Sequence, residues 1–188
     1  MRIVAGKWRG RPLAAPKGRA VRPTSDRVRE SVFGILGSRV EGAGVLDLFA
    51  GTGALGLEAL SRGARSAILV EQDPAAFSVL RRNVETLRAE GAELLNMDSL
   101  RALRHLKSRG RRFRLVFLDP PYGRGLASRA AEEMESCGVA EPGAMVVVEE
   151  SSREAVPQMP PGWEIADDRR YGDTRVIFYE IPEAKETT

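Results

Sequence analysis

A glycine-rich turn is the first group of residues whose types and spacing could serve a chemical function. Gly51, Gly53 and Gly56 follow the G-x-G-x-x-G spacing, which lets the backbone approach a ligand closely at the N-terminus of a helix. Glu71 stands twenty residues after Gly51, at the predicted end of the second strand, where a carboxylate can accept both hydroxyl groups of a ribose. The spacing therefore indicates a site for a ligand that contains a nucleoside.

The residue that ends the first strand separates two classes of such ligand. Dinucleotides and S-adenosylmethionine (AdoMet) both bind at glycine turns of this type. Asp47 favours AdoMet, because its carboxylate attracts the ammonium group of that ligand and would repel the pyrophosphate of NAD. A glycine turn that serves only the packing of the chain is the alternative.

A second group, Asp119-Pro120-Pro121-Tyr122, directly follows the apolar run 115–118. In open α/β sheets ligands bind outside the carboxyl ends of the strands, so we expect this segment to face the same crevice as the glycine turn. A group of this composition suits the methylation of an exocyclic amine on a nucleobase. The amine nitrogen is conjugated with its ring and is a poor nucleophile, so the site must activate it.

The residue types of this second group match the needs of that activation. A carboxylate and a backbone carbonyl that accept the two N–H hydrogens would pull the nitrogen towards sp³ geometry and release its lone pair. Two consecutive prolines fix the backbone φ angle and hold that carbonyl in place, and Tyr122 would stack on a base that has left its helix or loop. A proline-rich strand exit, with Asp119 as a turn residue, is the alternative.

The elements that position both groups repeat in the order strand, turn, helix from residue 44 onward. Because continuous apolar strands alternate with amphipathic helices, we expect an α/β fold with a parallel sheet covered on both faces. The last two strands, 163–170 and 174–180, are too close in sequence for a crossover helix and must form an antiparallel hairpin. The other predicted strands are 45–48, 67–70, 93–95, 115–118 and 145–148.

Helix starts and faces follow from capping residues and apolar spacing. Asp73 as cap and Pro74 in the first turn predict one helix start. An earlier helix is predicted to start near Ser25 or Asp26 and to run to about Leu36. Its expected inner stripe is Val28, Val32, Ile35 and Leu36, with Arg27, Arg29 and Glu30 on the surface.

The charge of the chain is distributed unevenly. The 29 basic and 26 acidic residues give a net charge of +3, but residues 1–30 hold nine basic residues against two acidic ones. Residues 101–114 add seven basic residues and no acidic one, whereas residues 131–188 hold fourteen acidic and five basic residues. This asymmetry indicates a polyanionic partner, and two solvated basic segments are the alternative.

Composition also excludes several classes of protein. One cysteine, Cys137, and one histidine, His105, rule out a disulfide framework and a Cys/His zinc site, and we expect no metal. No apolar run approaches the ~20 residues that cross a bilayer, and the basic N-terminus lacks the apolar core of a signal peptide. We expect a cytoplasmic protein.

The two motifs and three further segments resemble a known family. DLFAGTGALGLEAL (47–60) and DPPY are similar to class I AdoMet-dependent methyltransferases that act on amino groups. RPTSDRVRE (22–30), ALSRGA (59–64) and YGDT (171–174) resemble the bacterial 16S rRNA guanine-N2 methyltransferase family. The resemblance implies a Rossmann-like fold with a mostly parallel seven-stranded sheet, AdoMet as methyl donor, and methylation of one guanine of the small ribosomal subunit. Gly34 departs from the family pattern, in which asparagine follows the phenylalanine.

The resemblance assigns one set of residues to the cofactor. Glu71 would bind the ribose, and Asp98, which follows the third strand, would bind the adenine amino group. Asp98 could instead cap the helix that starts at Ser99. The methionine part of AdoMet would be surrounded by Asp47, Phe49, Gly51 and Gly53.

The resemblance assigns a second set to the target base and the RNA. Asp119 and the Pro120 carbonyl would accept the hydrogens of guanine N2, and Tyr122 would stack on the flipped-out base. The methyl group would pass directly from the sulfonium to the nitrogen. The basic N-terminal segment would contact RNA, together with Arg22, Thr24, Arg27, Arg29 and Arg124.

The expected organisation is a basic N-terminal extension over 1–23 that forms a β-hairpin, a methyltransferase domain over 24–182 and a disordered tail over 183–188. We expect a monomer that acts on 16S rRNA or on an assembly intermediate of the small subunit. A DNA adenine or cytosine amino-methyltransferase would share both motifs, but such enzymes usually need a target-recognition insertion for which 188 residues leave no space. A non-catalytic RNA-binding assembly factor would not need the DPPY group, and Asp47 disfavours an NAD-dependent oxidoreductase.

Overall fold

The computed structural model describes residues 1–15 and 25–183. The chain folds into two compact units, one within residues 1–99 and the other within residues 100–188. Each unit contributes parallel strands followed by helices, in the order that the sequence predicts.

The first unit is built on three parallel strands. Its elements are α1 (Asp26–Leu36), a 3-10 turn (Gly37–Val40), β1 (Gly44–Asp47), α2 (Ala54–Ser61), β2 (Ser66–Val70), α3 (Pro74–Leu87), β3 (Ala92–Leu95) and the start of α4 (Ser99–Ser108). β2 pairs in parallel with β1 and with β3. All of β1 and the last four residues of β2 are buried, as expected for strands covered on both faces. The three strands begin and end within one residue of their predicted positions.

The second unit contains the rest of α4 and four strands. Its further elements are β4 (Phe113–Leu118), α5 (Leu126–Cys137), β5 (Ala140–Ser151), β6 (Glu164–Tyr171) and β7 (Thr174–Glu180). β4 pairs in parallel with β5, whereas β7 is antiparallel to both β5 and β6. The predicted C-terminal hairpin is confirmed, and Cys137 is buried at the end of α5. With seven strands and five α-helices in the described ranges, the α/β prediction with mostly parallel strands is confirmed.

Two helix starts form as their capping residues predict. The Asp73 carboxylate accepts hydrogen bonds from the N–H groups of Ala75 and Ala76, at 2.8 and 3.0 Å, and Pro74 occupies the first turn of α3. The Ser25 hydroxyl accepts from the Val28 N–H at 3.2 Å and caps α1. These local bonds satisfy donors that have no partner within a helix.

The inner face of α1 differs from the prediction in two places. Ile35 was expected to be buried and is instead 36% exposed, and Phe33 is buried on the same helix. Arg29 was expected on the surface and is fully buried. Its Nη2 donates to the Arg2 carbonyl at 2.6 Å and to Asp26 Oδ1 at 2.8 Å, which compensates for removing the charge from water.

The N-terminal segment, residues 1–15, crosses α2 rather than forming two full strands. One antiparallel bridge joins Arg2 and Pro12, so the hairpin prediction is met only as a single bridge in the described part of that segment. The Glu58 carboxylate of α2 is buried and accepts from the Val4 N–H at 2.7 Å and from the Ala5 N–H at 2.9 Å. We call this contact the α2 anchor. The same Glu58 carboxylate forms an ion pair of 2.7 Å with Arg62.

A close backbone approach accompanies the α2 anchor. Gly6 has φ +80°, and a Cβ atom at this position would lie 1.8 Å from the Ser61 carbonyl oxygen, so only glycine fits. The Ser61 hydroxyl donates to the Ala5 carbonyl at 2.6 Å and accepts from the Trp8 N–H at 3.0 Å. The segment is therefore held by backbone hydrogen bonds, which leaves the side chains of Lys7, Arg9 and Arg11 exposed.

No helix in the described ranges is both long and apolar enough to cross a membrane.

Candidate active site

The candidate residues of the first unit, which we call the first half, lie in and around the turn between β1 and α2. Gly53 adopts φ +84°, and a Cβ there would lie 2.5 Å from a methyl group of Leu80. A Cβ at Gly56 would lie 2.7 Å from a methyl group of Leu69, so this glycine allows α2 to pack closely on β2. Thr52 and Gly53 are buried and Gly51 is partly exposed, so the turn meets solvent at Gly51, just before the N-terminus of α2, where nucleotide-like ligands bind.

Asp47 ends β1 and is the most unusual side chain of this half. It is 1% exposed, and its Oδ2 accepts from the Gly56 N–H at 3.0 Å. Its Oδ1 is buried and has no hydrogen-bond partner in the part of the chain that the structure describes. Burial raises the pKa of Asp47 to about 7 against the opposing Gly56 hydrogen bond, and the charge of Glu71 adds to the rise. A buried oxygen without a donor fits a cationic ligand group such as the ammonium of AdoMet.

Glu71 is hydrogen-bonded to the glycine turn, a contact that was not predicted. It directly follows β2, and its Oε2 accepts from the Gly51 N–H at 2.9 Å while its Oε1 accepts from the Asp73 N–H at 2.7 Å. Each carboxylate oxygen has a second lone pair, so Glu71 can hold the turn and still accept a ribose hydroxyl.

The other expected cofactor residues lie at or near strand ends of the first unit. Phe49 is partly exposed in the turn after β1. Asp98 is exposed and immediately precedes α4, a position that suits either adenine binding or helix capping.

The candidate residues of the second unit, which we call the second half, follow β4. Asp119 is partly exposed, Pro120 is buried, and Tyr122 is 37% exposed, so the tyrosine ring is available for stacking. The Tyr122 hydroxyl donates to Glu149 Oε1 at 3.3 Å. Partial burial, together with the charges of Glu149 and Asp119, raises the pKa of this hydroxyl, so it stays protonated and keeps its donor role.

Two residues of this half were not predicted as site residues. Glu149 of β5 is 6% exposed and holds the Tyr122 hydroxyl, and the side chain of Thr174 in β7 is also within hydrogen-bonding contact of Tyr122. The sequence does contain a signal for Glu149, because Glu149 and Glu150 end an otherwise apolar strand at its carboxyl end. The YGDT segment, recognised only as a family motif, thus supplies the residue that supports Tyr122.

The loop after Tyr122 is tied to the segment after β5. The Gly123 N–H donates to Glu154 Oε2 at 3.1 Å. Arg153 forms an ion pair of 3.2 Å with Asp173, and the Ser152 hydroxyl donates to the Gly172 carbonyl at 3.0 Å. These contacts connect the DPPY segment with the β6–β7 turn.

The expected RNA-binding residues fall into three groups. Arg27 of α1 and Arg124 after Tyr122 are exposed and available to a polyanion. Arg29 is buried against Asp26, which favours a structural role for this residue over contact with RNA. Arg22 and Thr24 lie outside the described residues.

Comparisons with known proteins agree with these features. A family model described as Conserved hypothetical protein 95 matches residues 1–180. Ribosomal RNA small subunit methyltransferase D of Escherichia coli K12 is 38% identical over 180 residues, which are 96% of this chain and 89% of that protein. Putative rRNA methyltransferase YlbH of Bacillus subtilis 168 is 35% identical over 181 residues, 96% of this chain and 98% of that protein.

A solved structure extends the likeness to the fold. The putative methyltransferase yhhF from Escherichia coli has a TM-score of 0.86 at 35% identity, and the match covers 98% of this chain and 99% of that one. The expected Rossmann-like methyltransferase fold is thereby confirmed. By sequence and by structure, the chain belongs to the family of ribosomal RNA small subunit methyltransferases.

Proposed function

We propose that the protein methylates the exocyclic N2 amine of a guanine in 16S rRNA, with AdoMet as the methyl donor. The observation that carries this proposal is the Asp119-Pro120-Pro121-Tyr122 segment at the carboxyl end of β4, in which the Tyr122 ring is partly exposed while its hydroxyl is anchored on Glu149. Membership of the small-subunit rRNA methyltransferase family supports rRNA as the substrate. The choice of guanine N2 rests on the sequence resemblance.

The residues of the first unit fit AdoMet. Asp47 offers a buried carboxylate oxygen to the ammonium group, and Glu71 offers lone pairs to the ribose hydroxyls. A Cβ at Gly51 would meet no neighbouring atom, so this residue leaves space beside the methionine part, with Phe49 in the same turn. Gly53 allows the turn to pack closely against Leu80 and Leu57. When bound, AdoMet supplies an electrophilic methyl group on its sulfonium. None of these protein groups has to change protonation during the transfer itself.

The residues of the second unit prepare the amine. The Asp119 carboxylate and the Pro120 carbonyl accept the two N–H hydrogens, so the nitrogen lone pair is directed towards the methyl group instead of the ring. Tyr122 stacks on the base, and its hydroxyl bond to Glu149 fixes the plane of the ring. Most of the rate effect then comes from orientation and from hydrogen bonds that strengthen as the nitrogen becomes sp³.

Proton removal does not require a strong base. Once the nitrogen carries the methyl group it is cationic, so its proton is acidic and passes to Asp119 or to water. The transfer is direct and involves no covalent bond to the enzyme. This role explains why a carboxylate suffices at this position.

The proposed RNA surface is basic and exposed. It combines Lys7, Arg9 and Arg11 of the N-terminal segment with Arg27 of α1 and Arg124 of the DPPY loop. Arg22 and Thr24 belong to the same proposal on the strength of the family motif alone. Contacts of this type bind phosphates and give an affinity that falls with salt.

The experiment is transfer of labelled methyl groups from AdoMet to small ribosomal subunits, protein-depleted rRNA and duplex DNA, all from cells that lack the protein. Digestion and nucleoside analysis identify the product, and N2-methylguanosine from either RNA form supports the proposal. Asp119→Ala should lose about 10²-fold or more of the rate while it keeps AdoMet binding. Glu164→Ala, which removes an exposed carboxylate from β6, is the matched control. Label in DNA alone, or equal loss of both properties in Asp119→Ala, would overturn the assignment.

A further inference from the structure

One buried polar side chain of the first unit takes part in neither half of the proposed site. Asn83 lies on α3 between Leu80 and Leu87 and is 2% exposed. Its Nδ2 donates to the Thr52 carbonyl at 2.9 Å and to the Ala14 carbonyl at 3.1 Å. Its Oδ1 accepts from the Ala14 N–H at 2.8 Å. The side-chain amide therefore acts as donor and as acceptor, and only a side chain with both groups can make this set of hydrogen bonds.

The partners of Asn83 belong to two functionally different segments. Thr52 lies between Gly51 and Gly53 in the turn proposed to hold AdoMet. Ala14 lies near the end of the described N-terminal segment, whose exposed side chains Lys7, Arg9 and Arg11 are proposed to contact RNA. A second contact also joins the turn to the N-terminal segment, because the Thr52 hydroxyl lies 3.9 Å from the sulfur of Met1.

Two attachments of the N-terminal segment differ in kind. Residues 4–8 are fixed by the α2 anchor and Ser61, and these contacts lie at the far end of α2 from the glycine turn. Ala14 is fixed through Asn83, which is bonded to the turn itself. Of these two attachments, only the second is bonded directly to the glycine turn.

We propose that Asn83 is a positioning residue that couples cofactor binding to RNA binding. This inference rests on the proposed function. A ligand in the turn holds Thr52, Thr52 holds the Asn83 amide, and the amide holds Ala14. The basic segment is then already ordered when RNA arrives, so less conformational entropy is lost on RNA binding. By linkage, bound RNA strengthens cofactor binding by the same factor.

The experiment measures the affinity for small ribosomal subunits with and without saturating S-adenosylhomocysteine, the demethylated product of the donor. For the native chain we expect the product to tighten subunit binding at least about fivefold, the lower end of typical coupling. In Asn83→Ala this enhancement should disappear, although each ligand still binds alone. Thr86→Ala, which removes an exposed hydroxyl from the same helix, should retain the enhancement.

Asn83→Ala removes the donor of two buried carbonyls and can therefore misfold. A second variant tests the coupling without removing the Asn83 side chain. Ala14→Pro removes the N–H that bonds Asn83 and leaves the buried amide in place. Because one of the two hydrogen bonds between Asn83 and Ala14 is lost, this variant should also lose most of the enhancement, with a single cooperative unfolding transition as evidence of folding. An enhancement that persists in a folded Ala14→Pro, or that is absent from the native chain although both ligands bind, would overturn the coupling alone. Failure of the native chain to bind either ligand would overturn the proposed function with it.

Discussion

The pH dependence of cofactor binding offers a direct test of the role of Asp47. The carboxyl group is 1% exposed, and burial raises its pKa to about 7 in the ligand-free protein. An ammonium group placed against Oδ1 favours the ionised form, so binding lowers this pKa. Below the ligand-free pKa the proton must leave before the ligand can bind, and affinity therefore weakens as the pH falls.

The size of the effect follows from the fraction of ionised carboxyl. With a pKa of about 7, the group is mostly ionised at pH 8 and mostly neutral at pH 6. Affinity should therefore fall about tenfold between these two pH values, which corresponds to about 1.4 kcal/mol. The Glu71 carboxylate also acts on Asp47 and adds to the rise of its pKa.

Isothermal titration with S-adenosylhomocysteine at pH 6, 7 and 8 measures this slope, because the product carries the same amino-acid group as AdoMet and does not alkylate the protein. Titrations at pH 6 in two buffers of different ionisation enthalpy should reveal the release of nearly one proton on binding. Asp47→Asn preserves size and the acceptor for the Gly56 N–H but cannot titrate. This variant should bind more weakly at pH 8 and show no slope. An equal slope in both proteins, or a flat native profile, would refute the assigned contact.

Three further predictions concern separate parts of the molecule. Tyr122→Phe keeps the aromatic ring and loses the hydroxyl bond to Glu149, whereas Tyr122→Ala also loses base stacking of about 1–3 kcal/mol. The rate of methyl transfer should therefore fall less in Tyr122→Phe than in Tyr122→Ala. Equal rates of the two variants in a transfer assay would contradict a stacking role. Gly34→Ala should stabilise the protein by up to about 1 kcal/mol in urea unfolding, because Gly34 lies inside α1 and an added Cβ meets no neighbouring atom. A destabilised variant would show that the backbone at this position requires glycine. Burial raises the pKa of Glu150 from 4.5 to about 7, so the contribution of this residue to the free energy of unfolding is lost as the pH rises through this window. Between pH 5 and pH 8, the stability of Glu150→Gln should therefore gain about 2 kcal/mol relative to that of the native chain. A difference in stability that does not change with pH would contradict this.

Much of the fold could be predicted because local signals agree with one another. The Asp73 cap, the first-turn Pro74 and the apolar strands each determine structure within a few residues of sequence. The position of Glu71 at the carboxyl end of β2 could be predicted because a fixed strand-turn-helix unit separates it from Gly51. The C-terminal hairpin follows from the short connection at Gly172-Asp173, which leaves no space for a helix.

The parts that escaped prediction depend on contacts distant in sequence. Arg29 looks like a surface residue, and only the Arg2 carbonyl and Asp26 make its burial possible. Asn83 interrupts an apolar stripe at a position that helical spacing places inward, but its partners are 31 and 69 residues away. Glu149 was missed because the pattern of a strand does not show that a side chain of another segment, here Tyr122, forms a hydrogen bond with Glu149.

The α2 anchor has a consequence for the order of events during synthesis. Val4 and Ala5 leave the ribosome before Glu58, which follows them in the chain by 54 and 53 residues, and Ala14 precedes Asn83 by 69 residues. Until α2 and α3 have been made, the basic segment has none of these hydrogen-bond acceptors, and closing loops of this length costs chain entropy that only the finished helices offset. Residues 4–14, which are translated before α2 and α3, are therefore among the last of the first unit to take their place. A nascent chain arrested before Asn83 should leave this segment open to proteases, whereas the completed unit should protect it.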